Sequence, residues 1–502
     1  MKVEKLWGAR FEALPSQDII DFLSGRDVKG TPPCDERLIP YDLWGSRAHV
    51  LMLCRQNILS RQETKRILKG LREIEKLHDE GRFRLDPAKE DVHSNIESKL
   101  IDRTGMESGG KIHTGRSRND QIALDIRLYL REEVLDLTER VLALIAALVE
   151  KAELHRSVLM PGYTHHQQAT VTTFGHLLLS FAEALWRDGE RFFHWMALFN
   201  RNPLGAAAGY GTLFHLDRAF TSRLLGFEGP TENVTDPITQ RWEAEVELAY
   251  AATVTMNHLS SIAQTFILLS TREFDMIRLD DRHCTGSSIM PQKRNPDCLE
   301  VVKAKATLAL GLLSGLLSTG RALFMGYNRE TQWTKYGIMD LVDETKPTLS
   351  VMREIVQLLQ VNEAQMFDKI QQAFVGATSL MEWMVDTCGL PLRQAKTVVE
   401  KAVKSSEVEK EGKVTYRSLE RVLREMKIKI PITPGEVDQR QAPQSILDQP
   451  FVTGMPSKRG VQGNLLSLRA RIKHGRARLI RMRKGIQKAR ALTMKAERQR
   501  MH

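Results

Sequence analysis

The segment from Gly286 to Asp297 concentrates reactive groups: it carries two adjacent serine hydroxyls, a lysine ammonium group and an asparagine amide. Its glycine and its first proline favour a loop, because glycine permits unusual backbone angles and proline interrupts helices. Asn295 suits a helix N-cap and Pro296 the first helical position, which predicts a helix start here. Each feature alone is typical of a surface loop. Together, a hydroxyl-rich loop, a cation and a helix N-terminus favour chemistry on an anionic substrate.

A second polar segment, from His113 to Asp120, ends in residues that commonly cap helices. The apolar periodicity of a long helix begins directly after it. The amide groups of a helix start, together with the guanidinium groups of Arg116 and Arg118, suit a carboxylate. Solvated arginines beside an ordinary helix cap would give the same pattern.

A third segment, from Pro161 to Ala169, contains the adjacent residues His165 and His166. Histidine can take or release a proton near neutral pH, so this segment is a candidate for acid–base chemistry. A single histidine is more often structural, and the pattern alone does not choose between the two interpretations.

Long helices must position these segments. Apolar residues recur at steps of three and four over several stretches, as on one face of an amphipathic helix. Such helices need partners, so the sequence predicts an all-α fold with a helical bundle shared between subunits, and a monomeric helical array is the alternative. Strand signals are weak. The four clearest stretches are Ile126 to Leu148, Phe174 to Leu185, Val246 to Leu269 and Val302 to Leu317.

The chain has 502 residues, too many for one compact core, and is expected to form three domains and an extension. The expected divisions are an N-terminal helical domain (1–112), a central helical-bundle domain (113–362), a small C-terminal helical domain (363–457) and a basic extension (458–502). The five cysteines are scattered and unpaired in spacing, which indicates reduced thiols and a cytoplasmic protein. Neither a secretory leader nor a membrane span is expected.

The positive charge of the chain lies in its C-terminal extension. From Lys458 to His502, fifteen Lys and Arg residues face one acid, Glu497, which gives +14. The rest of the chain therefore carries 11 − 14 = −3. A dense basic run without aromatic residues predicts at most weak, salt-sensitive contact with nucleic acid. The alternative is a solvated helical extension.

The Gly286–Asp297 segment resembles the signature of the fumarase/aspartase superfamily of lyases. Gln292 before the lysine and the His113–Asp120 segment resemble the argininosuccinate lyase branch more specifically. The branch usually carries two acids where this chain has Trp333 and Thr334, which leaves recognition of the amino-acid moiety open. A related lyase that releases fumarate from another N-substituted aspartate is therefore the alternative. A non-enzymatic role, as in lens relatives of the family, is less consistent with the retained polar residues.

The resemblance implies a β-elimination that cleaves argininosuccinate to fumarate and arginine, the last step of arginine biosynthesis. It also implies a homotetramer whose active sites are shared between subunits. No metal or organic cofactor is expected. In this reaction a proton leaves the succinate Cβ, a C–N bond breaks, and the intermediate aci-carboxylate needs preorganised donors where negative charge develops.

The resemblance also assigns roles. Ser287 is expected to act as the base, Lys293 to stabilise the intermediate, and His165, oriented by Glu300, to protonate the departing nitrogen. The Ser and His roles could be exchanged. The residues expected to bind substrate are Ser24, Arg118, Asn119, Thr164, Asn295, Tyr327, Gln332 and Lys335.

Overall fold

The computed structural model describes residues 13–25, 30, 32–448 and 452–501. Helices dominate these ranges, so the all-α prediction is confirmed. The helices that precede the bundle are α1 (Gln17–Ser24), α2 (Cys34–Arg55), α3 (Arg61–Asp79), α4 (Val92–Thr104) and α5 (Met106–Gly109).

Five long helices form the bundle, and four of them coincide with the stretches that the periodicity predicted. The elements from the bundle start onward are α6 (Arg118–Leu154), β1 (Leu159–Thr164), β2 (Gln167–Thr173), α7 (Phe174–Phe199), α8 (Arg218–Leu225), α9 (Asp236–Thr239), α10 (Arg241–Leu269), β3 (Ile277–Arg278), α11 (Asp297–Thr319), α12 (Thr334–Leu358) and β4 (Gln360–Val361). One large hydrophobic core joins these helices to the N-terminal ones.

The start of α6 follows from its capping residues. The Ser117 hydroxyl accepts a hydrogen bond from the Asn119 amide, and the Asp120 carboxylate accepts one from the Ser117 amide. Together these two bonds form a capping box. Arg118 therefore begins the helix, three residues earlier than the sequence suggested. Its guanidinium group projects from the first turn of a rigid element.

The predicted N-cap at Asn295 is wrong. Helix α11 begins at Asp297, with Pro296 before it and no side-chain cap. Asn295 instead exchanges two backbone hydrogen bonds with Thr285, at 3.0 and 2.8 Å. Its side chain donates to the Gly286 carbonyl at 3.3 Å. Asn295 therefore closes the base of the loop, and Pro296 takes the N-cap position.

Cross-helix contacts fix the direction of the bundle helices. Lys346 donates to Glu133 at 2.7 Å, and Lys151 donates to the Gln357 carbonyl at 2.9 Å, so α6 and α12 run parallel. Helix α11 runs antiparallel to α12, because its Leu316 packs against Gly337 near the start of α12. The Lys305–Glu344 ion pair holds the same register.

The β1–β2 hairpin is an element that the sequence did not predict. Thr164 pairs with Gln167, so His165 and His166 form a two-residue turn. Both have positive φ, +51° and +61°, as a type I′ turn requires. The usual Asn-Gly signal of such a turn is missing here.

The remaining helices form a second core and a long C-terminal helix. The second core lies among residues 374–437, apart from the bundle core. The helices are α13 (Glu363–Gln371), α14 (Ala377–Asp386), α15 (Leu392–Val408), α16 (Tyr416–Glu425), α17 (Pro434–Gln441), α18 (Pro443–Leu447) and α19 (Lys458–Met501). The predicted domain boundaries stay a prediction.

Helix α19 lies along the bundle and is pinned to it by its basic residues. Arg471 donates to Glu183 at 2.7 Å, Arg478 lies over the Phe193 ring at 4.1 Å, and Arg490 donates to Glu132 at 2.7 Å. Its apolar residues join the main core. The basic extension is therefore partly a structural element.

By length and composition alone, Asp297–Thr319 could cross a membrane, the only helix in the described ranges of which this is true. No membrane span was predicted from sequence. Only 28% of its most apolar window is buried within the chain, and Leu308, Leu310 and Leu317 are mostly exposed. A single helix of this kind is weak evidence for a membrane span, since core helices pass the same test.

Candidate active site

Five of the predicted substrate-binding residues line one cleft of about 240 Å³, here called the Arg118 cleft. It lies where α6 and α12 begin. The predicted residues in it are Arg118, Asn119, Tyr327, Gln332 and Lys335. Its other lining residues are Asp35, Glu90, Asp91, His93, Ile122, Arg329, Trp333 and Tyr336. The structure thus joins residues that are more than 200 positions apart in sequence.

The two predicted cations of this cleft already have carboxylate partners. Arg118 donates to Glu90 and, at 3.1 Å, to Asp91. Glu90 is the main reason that the pKa of Arg118 is raised above its ordinary value. Lys335 donates to Asp35. No role for these three acids was predicted from sequence. Asp91 also caps α4, where its side chain accepts the Ser94 amide at 2.9 Å.

The two unusual residues of the cleft differ in environment. The Thr334 side chain is buried, and its single hydroxyl proton is shared between Glu245 at 3.1 Å and the Thr331 carbonyl at 2.7 Å. Trp333 is 70% exposed and packs against Tyr336, with ring centroids 5.3 Å apart. The cleft is therefore bordered by aromatic surface where the resemblance suggested negative charge.

A buried polar cluster holds His93 at the floor of the Arg118 cleft. Its Nδ1 lies 3.0 Å from Asp42 and 3.5 Å from Asp125. The ligand atoms of these three residues lie within 4.8 Å of one another, a spacing that could hold a metal ion. Burial and the Asp42 charge raise the pKa of Asp125 well above its ordinary value, and the Arg116 charge opposes this.

The Ser287 hydroxyl accepts two backbone hydrogen bonds from its own loop. The amides of Ile289 and Met290 donate to its Oγ at 3.3 and 3.1 Å. Such donors stabilise negative charge on the oxygen, as a serine base requires. Ile289 is 86% exposed, so the loop presents apolar surface to its surroundings. The Thr285–Asn295 bridge anchors the base of this loop.

Lys293 and Glu300 line a different, open cleft of about 710 Å³, here called the Glu300 cleft. It lies beside the end of α10 and the start of α11. Both side chains are exposed. The Ser287 loop borders it through Met290 and Gln292. Ser287, Lys293, Asn295 and Glu300 therefore belong to one end of the bundle.

Thr164 and His165 lie at the exposed tip of the β1–β2 hairpin. The neighbouring Tyr163 packs on Phe274, with ring centroids 5.8 Å apart, which sets the hairpin near the Glu300 cleft. Within the described part of this single chain, no hydrogen bond or ion pair joins His165 to Glu300. The predicted pairing of these two residues stays a prediction.

Ser24 ends α1 and lies outside both clefts. Its neighbours Phe22 and Gly25 line a separate cavity of about 470 Å³ between α1 and the bundle. The single chain therefore does not bring Ser24 to the other predicted residues.

The two groups of site residues lie at opposite ends of the bundle. Because Leu316 packs against Gly337, Lys335 is level with residue 318. Glu300 lies eighteen residues before that level, about 27 Å away along α11. Arg118 and Leu154, at the two ends of α6, are about 54 Å apart by the same rise per residue. One chain cannot place both groups around one small molecule.

Comparisons with known proteins identify the family of the chain. A family model described as Lyase matches residues 30–311. The chain is 41% identical to an argininosuccinate lyase of Hahella chejuensis over 80% of this chain and 84% of that protein. It is 36% identical to an argininosuccinate lyase of Carboxydothermus hydrogenoformans over 91% and 97%. A solved EDDS lyase variant with bound fumarate has a TM-score of 0.88 and 27% identity, over 98% and 97%.

The matches cover most of the chain and of each relative, at identities well above those that reflect fold alone. The family-model match includes the start of α6, the Ser287 loop and Glu300. The chain therefore belongs to the argininosuccinate lyase family of the fumarase/aspartase superfamily.

Proposed function

We propose that this lyase cleaves argininosuccinate to fumarate and arginine. The observation that carries the proposal is the Arg118 cleft, which contains five residues expected from sequence to bind this substrate. The curated relatives named argininosuccinate lyase support the same substrate. Arginine biosynthesis follows as the pathway.

In the proposed mechanism, the Ser287 oxygen takes a proton from the succinate Cβ. The two loop amides that donate to this oxygen support its ionisation, and the nearby Lys293 ammonium group adds a favourable field. The electron pair moves into the adjacent carboxylate to form the aci-carboxylate. It then returns to form the fumarate double bond as the C–N bond breaks, and His165 protonates the released guanidine nitrogen, with Glu300 orienting the imidazole.

Sites shared between subunits of a homotetramer account for the separation of the residue groups. A second copy would bring its Ser287 loop to the Arg118 cleft, and a third would contribute the His165 hairpin. The exposed leucines of α11 support this assembly, because a bundle helix with an uncovered apolar face needs a partner. Ser24 would reach the site in the same way.

A related activity is the second candidate. Trp333 and Thr334 replace the acids usual in the branch, and a solved EDDS lyase variant with bound fumarate matches nearly the whole chain. These observations favour a lyase that releases fumarate from another N-substituted aspartate. The fold and the acid–base residues would be the same, and only the leaving group would differ.

A substrate panel separates the two candidates. Fumarate release is measured from argininosuccinate, adenylosuccinate, aspartate, malate and ethylenediamine-disuccinate. Turnover of argininosuccinate with the highest kcat/KM supports the first proposal. If argininosuccinate is inert while another compound is cleaved, the substrate assignment fails and the second candidate stands.

Ser287→Ala tests the base. It is expected to lower kcat by about 10³-fold or more, near the loss of one acid–base group. The neighbouring, exposed Ser288 offers a matched control, since Ser288→Ala removes a hydroxyl from the same loop. We expect this control to retain activity within about tenfold. Undiminished turnover by Ser287→Ala would exclude Ser287 as the base.

A cytoplasmic location is part of the proposal. No disulfide bond joins any of the five cysteines, all of which lie in the described ranges, as a reducing compartment would allow. Cell fractionation tests it, and recovery of the protein with the membranes would count against it.

Weak nucleic-acid contact through α19 is the remaining proposal for a partner. Several of its cations already pair with the bundle, but Lys473, Arg476, Arg481, Lys484 and Lys488 are exposed. They follow one another at helical spacing on the outer face. Retention of RNA that weakens steeply with salt, and is lost when these residues are neutralised, supports the proposal.

A further inference from the structure

Arg241 is a buried cation without a bonding partner. It is the first residue of α10 and is 4% exposed. None of its three guanidinium nitrogens has a hydrogen-bond partner in the described part of the chain. Arg131, buried in the same bundle, instead donates to the carbonyls of Leu225 and Gly226. Burying an unpaired guanidinium group is unfavourable, so its retention indicates a use.

Arg241 lies one helical turn before Glu245 on α10, and Glu245 bonds Thr334, whose chain neighbours Trp333 and Lys335 line the Arg118 cleft. Arg241 is therefore buried next to this cleft. Burial lowers its pKa, and the charges that oppose this effect belong to Glu245, Tyr327 and Asp35. The last two line the cleft. Glu245 accepts the Thr334 hydroxyl with one oxygen, and its other oxygen is buried without a partner. Neither oxygen forms an ion pair with Arg241 in the described structure.

The carboxylates of the cleft already form ion pairs with other cations of the cleft. Glu90 and Asp91 hold Arg118, and Asp35 holds Lys335. The cations left without a carboxylate contact in the described structure are therefore Arg241 next to the cleft and the exposed Arg329 at its rim.

The residues at positions 333 and 334 add no negative charge to this end of the cleft. Trp333 is apolar and exposed, and the buried Thr334 is neutral. An ammonium group of a ligand would therefore find no free carboxylate here, whereas a carboxylate would meet two cations. In a partly enclosed site, where charges are less screened than in bulk water, this difference favours the carboxylate.

We infer that Arg241 is a specificity-determining residue, whose charge selects leaving groups that carry a carboxylate into the Arg118 cleft. The inference rests on the proposed lyase function. For argininosuccinate, the carboxylate is the α-carboxylate of the departing arginine. Arg241 acts on binding rather than on proton transfer, because a guanidinium group keeps its protons at neutral pH.

The test compares argininosuccinate with the analogue whose leaving group is agmatine, which lacks the α-carboxylate. The wild-type enzyme is expected to prefer argininosuccinate by about 10- to 100-fold in kcat/KM, the usual range for one charged contact. Arg241→Met is expected to reduce this ratio to about threefold or less, mainly by raising KM for argininosuccinate. Arg241→Lys keeps the charge and is expected to keep part of the preference.

Two further measurements separate specificity from a structural role. Arg241→Met removes an unpartnered buried charge, so its unfolding temperature is expected to equal or exceed that of the wild type. Glu245→Gln removes the opposing negative charge and is expected to increase the preference. An unchanged ratio in Arg241→Met, or an equal loss of kcat for both substrates with a lowered unfolding temperature, overturns the inference.

Failure of the proposed substrate is distinguishable from failure of this inference. If the wild-type enzyme is inert on argininosuccinate but cleaves another N-substituted aspartate, the substrate assignment fails. The same comparison is then made with that compound and its analogue without the leaving-group carboxylate. A ratio that does not depend on Arg241 there overturns the role of Arg241.

Discussion

Two variants that are each inactive alone are expected to recover lyase activity when their subunits are mixed in one assembly. Ser287→Ala removes the proposed base, and Lys335→Met removes a substrate contact at the other end of the bundle. The levels of Glu300 and Lys335 differ by about 27 Å along α11, much more than a small substrate spans. The proposed site therefore combines the Ser287 loop of one subunit with Lys335 of another.

The size of the effect follows from this geometry. In assemblies formed from equal amounts of the two variants, half of the subunits carry an intact loop and half carry an intact Lys335. A site that takes each group from a different subunit is intact in about one quarter of cases. Mixed assemblies are thus expected to show about one quarter of wild-type activity, whereas each variant alone is nearly inactive.

The assay is fumarate release after the two variants are unfolded together and refolded, or co-expressed. Ser287→Ala mixed with Lys293→Met is the control, because both changes lie in one loop and no site would receive an intact copy. Absence of recovered activity in the first mixture, with both variants folded and assembled, would refute the shared site. Equal recovery in the control mixture would refute it as well.

Three further changes test the packing around the site. Arg490→Ala loses the Glu132 ion pair and the contact of Arg490 over Trp44, so it is expected to lower the free energy of unfolding by about 1 kcal/mol in urea titrations. Lys488→Ala, at an exposed position of the same helix, is expected to change this free energy by less than about 0.5 kcal/mol. Equal effects of the two substitutions would contradict the attachment of α19 to the bundle by its basic residues. Burial lowers the pKa of His49 to about 3, so the unfolded state alone takes up this proton as pH falls below about 6.5, and stability drops by about 3 kcal/mol between pH 7 and 4. His49→Gln should remove that part of the acid dependence, and an unchanged pH profile of unfolding would show that His49 is protonated in the fold. Asp120→Asn turns an acceptor of backbone amides into a donor and is expected to cost about 2–4 kcal/mol by thermal unfolding; a stable variant would exclude the need for both carboxylate oxygens.

The sequence predicted the helical bundle well because apolar periodicity is a local signal that burial enforces. Four predicted stretches became α6, α7, α10 and α11, each longer than the pattern alone indicated. The errors lie where side chains had a choice of partner. Asn295 was expected to cap α11, but the Thr285 backbone and the Gly286 carbonyl were closer partners within the loop.

The β1–β2 hairpin shows a second limit. His165 and His166 adopt left-handed backbone conformations that histidine enters at some cost, so no local propensity announced the turn. The hydrogen-bonded pairing of the two flanking strands offsets this conformational cost. The signal available in sequence was chemical rather than structural, namely two histidines in a polar segment.

By itself, the sequence determined which side chains are available for chemistry and where the long helices that carry them lie along the chain, since both depend on residue type and short-range spacing. Only the tertiary structure decided which of these side chains meet. It joined Arg118 to Tyr327 and Lys335, and it separated them from Ser287 and Glu300 by most of the length of a bundle helix. The physical reason is that a rigid helix fixes the distance between its ends, whereas the packing of one helix against another chooses which ends lie side by side.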